Sequence, residues 1–545
     1  MALHRKLPAH LFGCAVFCWV VLAAPADTRA QSRPMKTATS SDVPTSRKIS
    51  EPSDVAQFRA RVDDALSAQG ADKGHWGILV ADAATGAVLF ARNADSFFMP
   101  ASDAKLFTTA LALATLGPDF RVKTKIAASG PVDANGVLNG NLVLIGGGDA
   151  NLSNRKFPFA KKEERDGPPE KALAEFADQV ASRGVKEITG DVVADDSLFQ
   201  PERFPSGWAI DDIQWSYGAA VSAIAVNDNT FTVELWPGAR EGEPARCEAG
   251  LAADFYTIEN SVRTSAPGVE ENLAATRDPG SRLIRLSGTL PAGAHPRVLT
   301  FAVERPAEYA ATLLAHLLAQ RGVKTDGSAR ARHAGDMSPA DALPQNILAE
   351  RVSQTLSDDV RLTNKNSENL HAELMLLLAA HEKNGAASYD DAVKFAAGFF
   401  TAAGIAPGDV SLSDGSGLSR KDLVTPRALV QILRYAAAQP WGELYRASLP
   451  EAGEDGTLAD RMKGTPAAGR VFAKTGTIGH TNALSGYATT VKGERLIFSI
   501  VGNNNTLHAA DANKVVDAIV VAMTEELGEA PAVKRNEGCR GCGRN

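Results

Sequence analysis

The sequence predicts an α/β, multi-domain chain in which strands near the two ends build one sheet and a large α/β region is inserted between them. Three observations carry this reading: strand-and-turn signals lie close to both ends, helix-period segments adjoin them, and the long middle stretch of short strands carries a repeat of its own.

At the N-terminal end, Trp76 to Val80 and Ala87 to Ala91 flank Ala83-Ala84-Thr85-Gly86, the pattern of a hairpin. A helix follows from about Ser102 to Leu116, with Leu106, Ala110, Leu113 and Leu116 at helical spacing and Gly117-Pro118 as its stop. At the other end come three strand candidates, Val471 to Thr477, Ala483 to Thr490 and Arg495 to Val501. The last two are joined by Val491-Lys492-Gly493-Glu494. Ahead of them, from about Leu348, the sequence turns helical, and Leu370, Leu374, Leu377 and Leu378 form one stripe.

Between these flanks, to about Pro344, many short strand signals alternate with Gly, Asp and Pro. Two segments look like copies of one unit. Lys171 to Gly190 and Ala307 to Gly327 each give an apolar-striped helix, an Arg-Gly-Val-Lys turn (Arg183 to Lys186, Arg321 to Lys324) and a strand. A glycine at the helix C-terminus explains the turn without any appeal to function.

A chain of 545 residues with 44% apolar and 22% charged side chains can bury large cores and is neither disordered nor fibrous. Its formal charge of −7 speaks against a nucleic-acid partner. Residues 1–30 read as a secretory signal, with His4, Arg5 and Lys6 ahead of the apolar run Leu11 to Ala24 and small residues at Ala24, Ala26 and Ala30. The run is short for a membrane span, so an uncleaved anchor is the lesser alternative. The mature protein is therefore expected outside the cytoplasmic membrane, in the periplasm where there is one. Residues 31–54, rich in Ser, Thr, Pro and Lys, read as a flexible leader, and 529–545 as a flexible tail. The remainder divides into 55–120 and 345–528, forming one domain, and 121–344, an inserted region of two smaller domains. Five cysteines, two of them inside the signal, make no disulfide framework; Cys539 and Cys542 form either a local disulfide or part of a structureless tail. None of the ten histidines has close metal-ligand spacing to another, and no metal or cofactor is expected.

Three short motifs carry the chemistry. In Ser102-Asp103-Ala104-Lys105, positions i and i+3 share a helical face, so the Ser102 hydroxyl and the Lys105 amine can meet. A lysine made neutral by burial is a competent base for a serine nucleophile. Taken alone, an N-cap serine followed by a solvated lysine explains the same letters. Ser367-Glu368-Asn369 lies on a connection before the Leu370 helix, where Ser367 can relay a proton and Asn369 can orient a carbonyl; a polar helix start would look the same. Lys474-Thr475-Gly476-Thr477 lies in a β-prone run. An edge strand with a lysine, hydroxyls and a glycine suits an extended peptide with a terminal carboxylate, although edge lysines are common in their own right. Helix start, loop before a helix and edge strand, in that order, are the contexts a serine-lysine acyl transferase requires.

With Pro100-Ala101-Ser102, Gly146-Gly147-Gly148-Asp149, Tyr217-Gly218-Ala219, Asp414-Gly415-Ser416-Gly417-Leu418-Ser419-Arg420, Leu449-Pro450 and Gly456-Thr457-Leu458, the chain resembles the class C low-molecular-mass penicillin-binding proteins, the D-alanyl-D-alanine carboxypeptidase/endopeptidase family. The likeness runs from about Ala56 to Glu526, and the 265 residues between Ser102 and Ser367 match that family's long insertion. It implies a penicillin-binding-protein/β-lactamase-like domain with an antiparallel sheet flanked by helices. It also implies cleavage of peptidoglycan stem peptides, and of cross-bridges, through an acyl-enzyme on Ser102, with β-lactams as covalent inhibitors. Lys105 would be the base, Ser367 the proton relay, and Asn369, Lys474, Thr475 and Thr477 substrate-binding residues. The backbone amides of Ser102 and Thr477 would form the oxyanion hole. Asp212 and Arg420 would hold a zwitterionic side chain of the substrate, or else simply pair with each other. His480 and Thr481 depart from the family pattern on the leaving-group side. A β-lactamase or esterase on the same scaffold, or an inactive wall-binding protein, are the alternatives. Peripheral association with membrane or wall and the oligomeric state stay open.

Overall fold

The structure, a computed structural model, describes residues 52–336 and 346–528. The signal segment, nearly all of the leader, and the tail with Cys539 and Cys542 lie outside the described residues.

The two ends do build one sheet. Its five antiparallel strands run in the order Val88–Arg92, His75–Asp82, Arg495–Asn503, Thr481–Thr489 and Val471–Ile478. Side chains alternate across each strand, so neighbours in sequence enter different cores. Leu79, Ala81, Ile497 and Val501 face a helical core that also holds Phe107, Leu111, Leu374 and Leu377. Ile78, Val80, Phe498 and Ile500 face the opposite way, onto Phe58 and Val62 of the helix Ser53–Leu66 and Val516 and Ile519 of the helix Ala509–Glu526. Burial on both faces makes these strands near-continuous apolar runs.

The inserted region has its own sheets and its own core. The two sequence repeats lie side by side in it. Their helices, Lys171–Ser182 and Pro306–Gln320, share the core through Phe176, Val180, Leu313 and Leu318, and the strands that follow pair in parallel, Glu187 opposite Lys324 and Val192 opposite Ala329.

One expectation is overturned. The segment from Leu348 does not turn helical at once: Asn346–Val352 is a strand paired antiparallel with Lys123–Ala128, completing a five-stranded sheet of the inserted region. The short apolar run fits either element, and pairing with Lys123–Ala128 decides it. The helix begins only at Leu356, where the Thr355 hydroxyl accepts from the Asp358 amide. A smaller correction concerns Ser102, which stands not in an α-helix but in a single 3₁₀ turn, Ala101–Ala104, leading into the helix Lys105–Leu116.

Candidate active site

Ser102 reaches the surface of a cavity of about 340 Å³ whose lining also includes Asp212, Tyr217, Ser367, Asn369, Leu418, Arg420 and Thr477. Segments more than 300 residues apart in sequence therefore converge on one serine. Two glycines make the convergence possible. A Cβ on Gly476, in the edge strand Val471–Ile478, would stand 2.5 Å from the Pro100 carbonyl oxygen, and one on Gly417, whose φ is +81°, would stand 1.8 Å from the Ala101 carbonyl oxygen. The glycine expected to admit another chain thus admits this chain's own Ser102 turn.

Lys105 is fully buried, and its Nζ donates to Ser102 Oγ (2.8 Å), Asn369 Oδ1 (2.6 Å) and the Ser416 carbonyl oxygen (2.8 Å). Desolvation lowers its pKa to about 8, against the pull of the Asp414, Glu373, Glu368 and Asp103 carboxyls. Once neutral, the amine keeps two N–H donors for Asn369 and Ser416, which leaves its lone pair aimed at the Ser102 hydroxyl. The loop carrying Ser416 is itself fixed by buried Asp414, which accepts from the Gly417 and Ser419 amides (both 2.7 Å) and from Trp208 Nε1 (2.8 Å).

Ser367 occupies the break between the helices Leu356–Asn366 and Asn369–Asn384, in the left-handed conformation with φ 63° and ψ 38°. Lys474 Nζ donates to its Oγ (2.8 Å) and to the Thr475 carbonyl oxygen (2.8 Å). Burial, reinforced by the positive charge of Lys105, pushes Lys474 well below the ordinary lysine pKa. An anion arriving beside it would favour the charged form. Asn369 Nδ2 donates to the Tyr217 carbonyl oxygen (2.7 Å), which orients the amide.

Asp212 and Arg420 face each other at the cavity, Arg420 Nη2 to Asp212 Oδ2 at 3.4 Å, while the Tyr217 hydroxyl donates to Asp212 Oδ1 (3.2 Å). Burial and the Asp212 charge push the Tyr217 phenol up to about 12. Thr477 lines the cavity, whereas the Thr475 hydroxyl is bonded to that of Thr457 (2.7 Å) and Thr475 is not part of the lining. His480 sits at the turn after the edge strand with φ 63°, Nδ1 against the Asn505 carbonyl oxygen (2.9 Å).

Sequence reasoning missed two buried acids here. Asp103, within the Ser102 turn, is pushed up to about 7 by desolvation, with Lys474 and Lys105 pulling the other way. Glu373 accepts from the Gly415 amide (2.9 Å) and is pushed up to about 8 by burial and by Asp414. Nothing in the spacing of either marked it as more than a solvated acid. Among the described residues, no group of three or more His, Cys, Asp or Glu is placed to hold a metal ion.

Comparison with known proteins identifies the family and the fold. The family model described as "D-Ala-D-Ala carboxypeptidase 3 (S13) family" matches residues 58–526. A D-alanyl-D-alanine carboxypeptidase of Actinomadura sp. (strain R39) is 35% identical over 489 residues, spanning 88% of this chain and 86% of that protein. The D-alanyl-D-alanine carboxypeptidase DacB of Haemophilus influenzae is 28% identical over 74% of this chain and 80% of its own length. In fold, the chain resembles the crystal structure of penicillin binding protein 4 (dacB) from Haemophilus influenzae, with a TM-score of 0.72 at 24% identity, over 85% of this chain and 98% of that one. The architecture is thus the penicillin-binding-protein type of α/β fold with an inserted region. By its match over nearly all of the described residues, the protein belongs to the D-Ala-D-Ala carboxypeptidase 3 (S13) family and is a serine-type D-Ala-D-Ala carboxypeptidase.

Proposed function

We propose that Ser102 is the residue acylated in this reaction and that the substrate is the D-alanyl-D-alanine end of a peptidoglycan stem peptide. The observation that carries this reading is the Lys105 contact set: a buried amine with a pKa near 8, held 2.8 Å from a serine oxygen that opens onto a cavity. Neutral Lys105 takes the proton as Ser102 Oγ attacks the carbonyl carbon of the penultimate D-alanine. The backbone amides of Ser102 and Thr477 stabilise the oxyanion. Ser367, bonded to Lys474, gives its proton to the departing amine as the peptide C–N bond breaks and is reprotonated by the proton Lys105 took; water then hydrolyses the ester and restores the Ser102 hydroxyl. Asn369 orients the substrate, Lys474 and Thr477 hold its terminal carboxylate, and Thr475 would join them by releasing its bond to Thr457.

The leaving amine is either free D-alanine or the amine of a neighbouring strand, so the same steps give carboxypeptidase and endopeptidase action. A β-lactam enters the same path and stays attached as a stable ester. The Leu11 to Ala24 apolar segment supports export to the wall side of the cytoplasmic membrane. Among the described residues no helix is long and apolar enough to cross a membrane. We also read the inserted region as ending at Val352 rather than 344, since the strand Asn346–Val352 pairs with Lys123–Ala128.

Mass spectrometry tests the assignment. Wild-type protein gains one penicillin on the peptide containing Ser102 and releases D-alanine from a defined pentapeptide. The Ser102→Ala variant does neither, and labelling that persists in it sinks the assignment. Fast turnover of penicillin without a stable adduct would mark a β-lactamase instead.

A further inference from the structure

On the side of the Ser367 loop that faces the inserted region lies a half-buried charge cluster, centred on the buried Arg155 side chain, that the proposed mechanism does not use. Arg155, whose side chain is only 2% exposed, follows the strand Asp149–Leu152 of the inserted region. It donates from Nη2 to Glu368 Oε1 (2.8 Å), from Nε to Glu163 Oε1 (3.0 Å) and from Nη1 to Asp228. Asp228 sits in a left-handed Asn227–Asp228–Asn229 turn and also accepts from Arg165 Nη2 and from His371 Nε2, both at 3.0 Å. Glu163 Oε2 accepts from Asn366 Nδ2 (2.8 Å).

The residues on both sides of Ser367 are therefore held by side chains of the inserted region: Glu368 by Arg155 and Asn366 by Glu163. A third neighbour, Lys365, is pinned to Asp455 (2.6 Å). Ser367 between them holds a left-handed backbone that an L-residue adopts at a cost, and such a conformation persists where its surroundings over-determine it. Ser367 Oγ must at the same time reach Lys474 and the cavity.

We propose that Arg155 is a positioning residue for the acyl-transfer reaction: through Glu368, and through the Glu163 carboxylate it shares with Asn366, it fixes the backbone at Ser367 so that the hydroxyl stands between Lys474 and the leaving amine. Arg155 then takes a part in catalysis without touching substrate. This rests on the reading of Ser367 as proton relay. A purely structural ion cluster would stabilise the fold and leave the rate of the folded fraction alone. A positioning role acts on the chemical step.

The test measures acylation by benzylpenicillin in the full chain, resolving the dissociation constant of the first complex from the acylation rate constant, together with kcat and KM for a D-alanyl-D-alanine pentapeptide. Glu368→Gln keeps the shape and removes the charge; Arg155→Gln and Arg155→Lys vary the other partner. In folded Glu368→Gln and Arg155→Gln we expect the acylation rate constant and kcat to fall about 10- to 100-fold, the scale of an ångström-sized misplacement, with KM and the dissociation constant nearly unchanged. Arg155→Lys should recover part of the loss, and the double variant Arg155→Gln/Glu368→Gln should be no slower than the worse single one. Should Arg155→Gln fail to fold, Glu368→Gln decides. A wild-type acylation rate in folded Glu368→Gln, or a loss that only tracks the folded fraction, overturns the proposal. Ser367→Ala is assayed in parallel: if it acylates at the wild-type rate, the relay reading has failed, whereas a dead Ser367→Ala beside an unimpaired Glu368→Gln removes only the role of Arg155.

Discussion

Lys105 Nζ lies 2.6 Å from Asn369 Oδ1, so the lysine of the first motif and the amide of the second, 264 residues on, share one hydrogen bond. That contact, with the one to the Ser416 carbonyl oxygen, decides where the lone pair of the neutral amine points. Below its pKa of about 8 Lys105 is an ammonium and has no lone pair to offer Ser102; above it the base is free. The acylation rate constant should therefore climb nearly tenfold per unit from pH 6 and level off above about 8. A stopped-flow profile with a chromogenic cephalosporin checks this, and a flat profile across that range counts against Lys105 as base.

Replacing Asn369 by aspartate places a negative charge against the ammonium. An opposite charge at that distance favours the protonated form, so the midpoint should move up by about 1 to 3 units, and the rate at neutral pH should fall correspondingly. The variant also loses the bond to the Tyr217 carbonyl oxygen, which lowers the rate at every pH without moving the midpoint. The two effects separate in the pH profile.

Gly417 and Gly464 both have positive φ, but only Gly417 is crowded, by the Ala101 carbonyl oxygen; a Cβ on Gly464 meets nothing within 4 Å. Gly464→Ala should cost about 1 kcal/mol in urea unfolding and leave penicillin acylation intact. Gly417→Ala should cost roughly 1 to 3 kcal/mol more, because the nucleophile turn must move, and should abolish acylation even where the protein is folded.

The Asp212–Arg420 pair predicts a split between substrates. If the two side chains open to hold a zwitterionic amino-acid end, Asp212→Asn should lower kcat/KM about tenfold or more for a peptide bearing that end, as expected for the loss of a hydrogen bond to a charged group. Acylation by benzylpenicillin, which lacks that end, should stay within about threefold. Equal losses on both, measured side by side, would leave the pair as a local ion pair only.

Much of the catalytic half was legible in the sequence because its signals are local. Hairpins at Ala83–Gly86 and Val491–Glu494, the Leu370 stripe, and the order of Ser102, Ser367 and Lys474 need only neighbours a few residues apart to be read. Asn346–Val352 was not legible, since an apolar run that short acquires its identity from the strand Lys123–Ala128 more than 200 residues earlier. The Arg155 cluster was invisible for a related reason: its partners Asp228 and Glu368 lie 73 and 213 residues away, and each alone looks like a solvated charge. Burial of Asp103 and Glu373 likewise depends on packing that no periodicity announces.

The sheet has a consequence for the order in which the enzyme becomes competent. Its first hairpin and the Ser102 turn emerge early from the ribosome, but His75–Asp82 pairs with Arg495–Asn503, and Lys474 arrives only with the strand Val471–Ile478. Until those late strands dock, the Ser102 turn lacks the edge strand, and Ser367 lacks the Lys474 amine. The nascent chain is therefore a latent hydrolase. Pairing of His75–Asp82 with Arg495–Asn503 joins residues more than 400 apart in sequence, so completion of the site waits on some of the least local contacts in the fold.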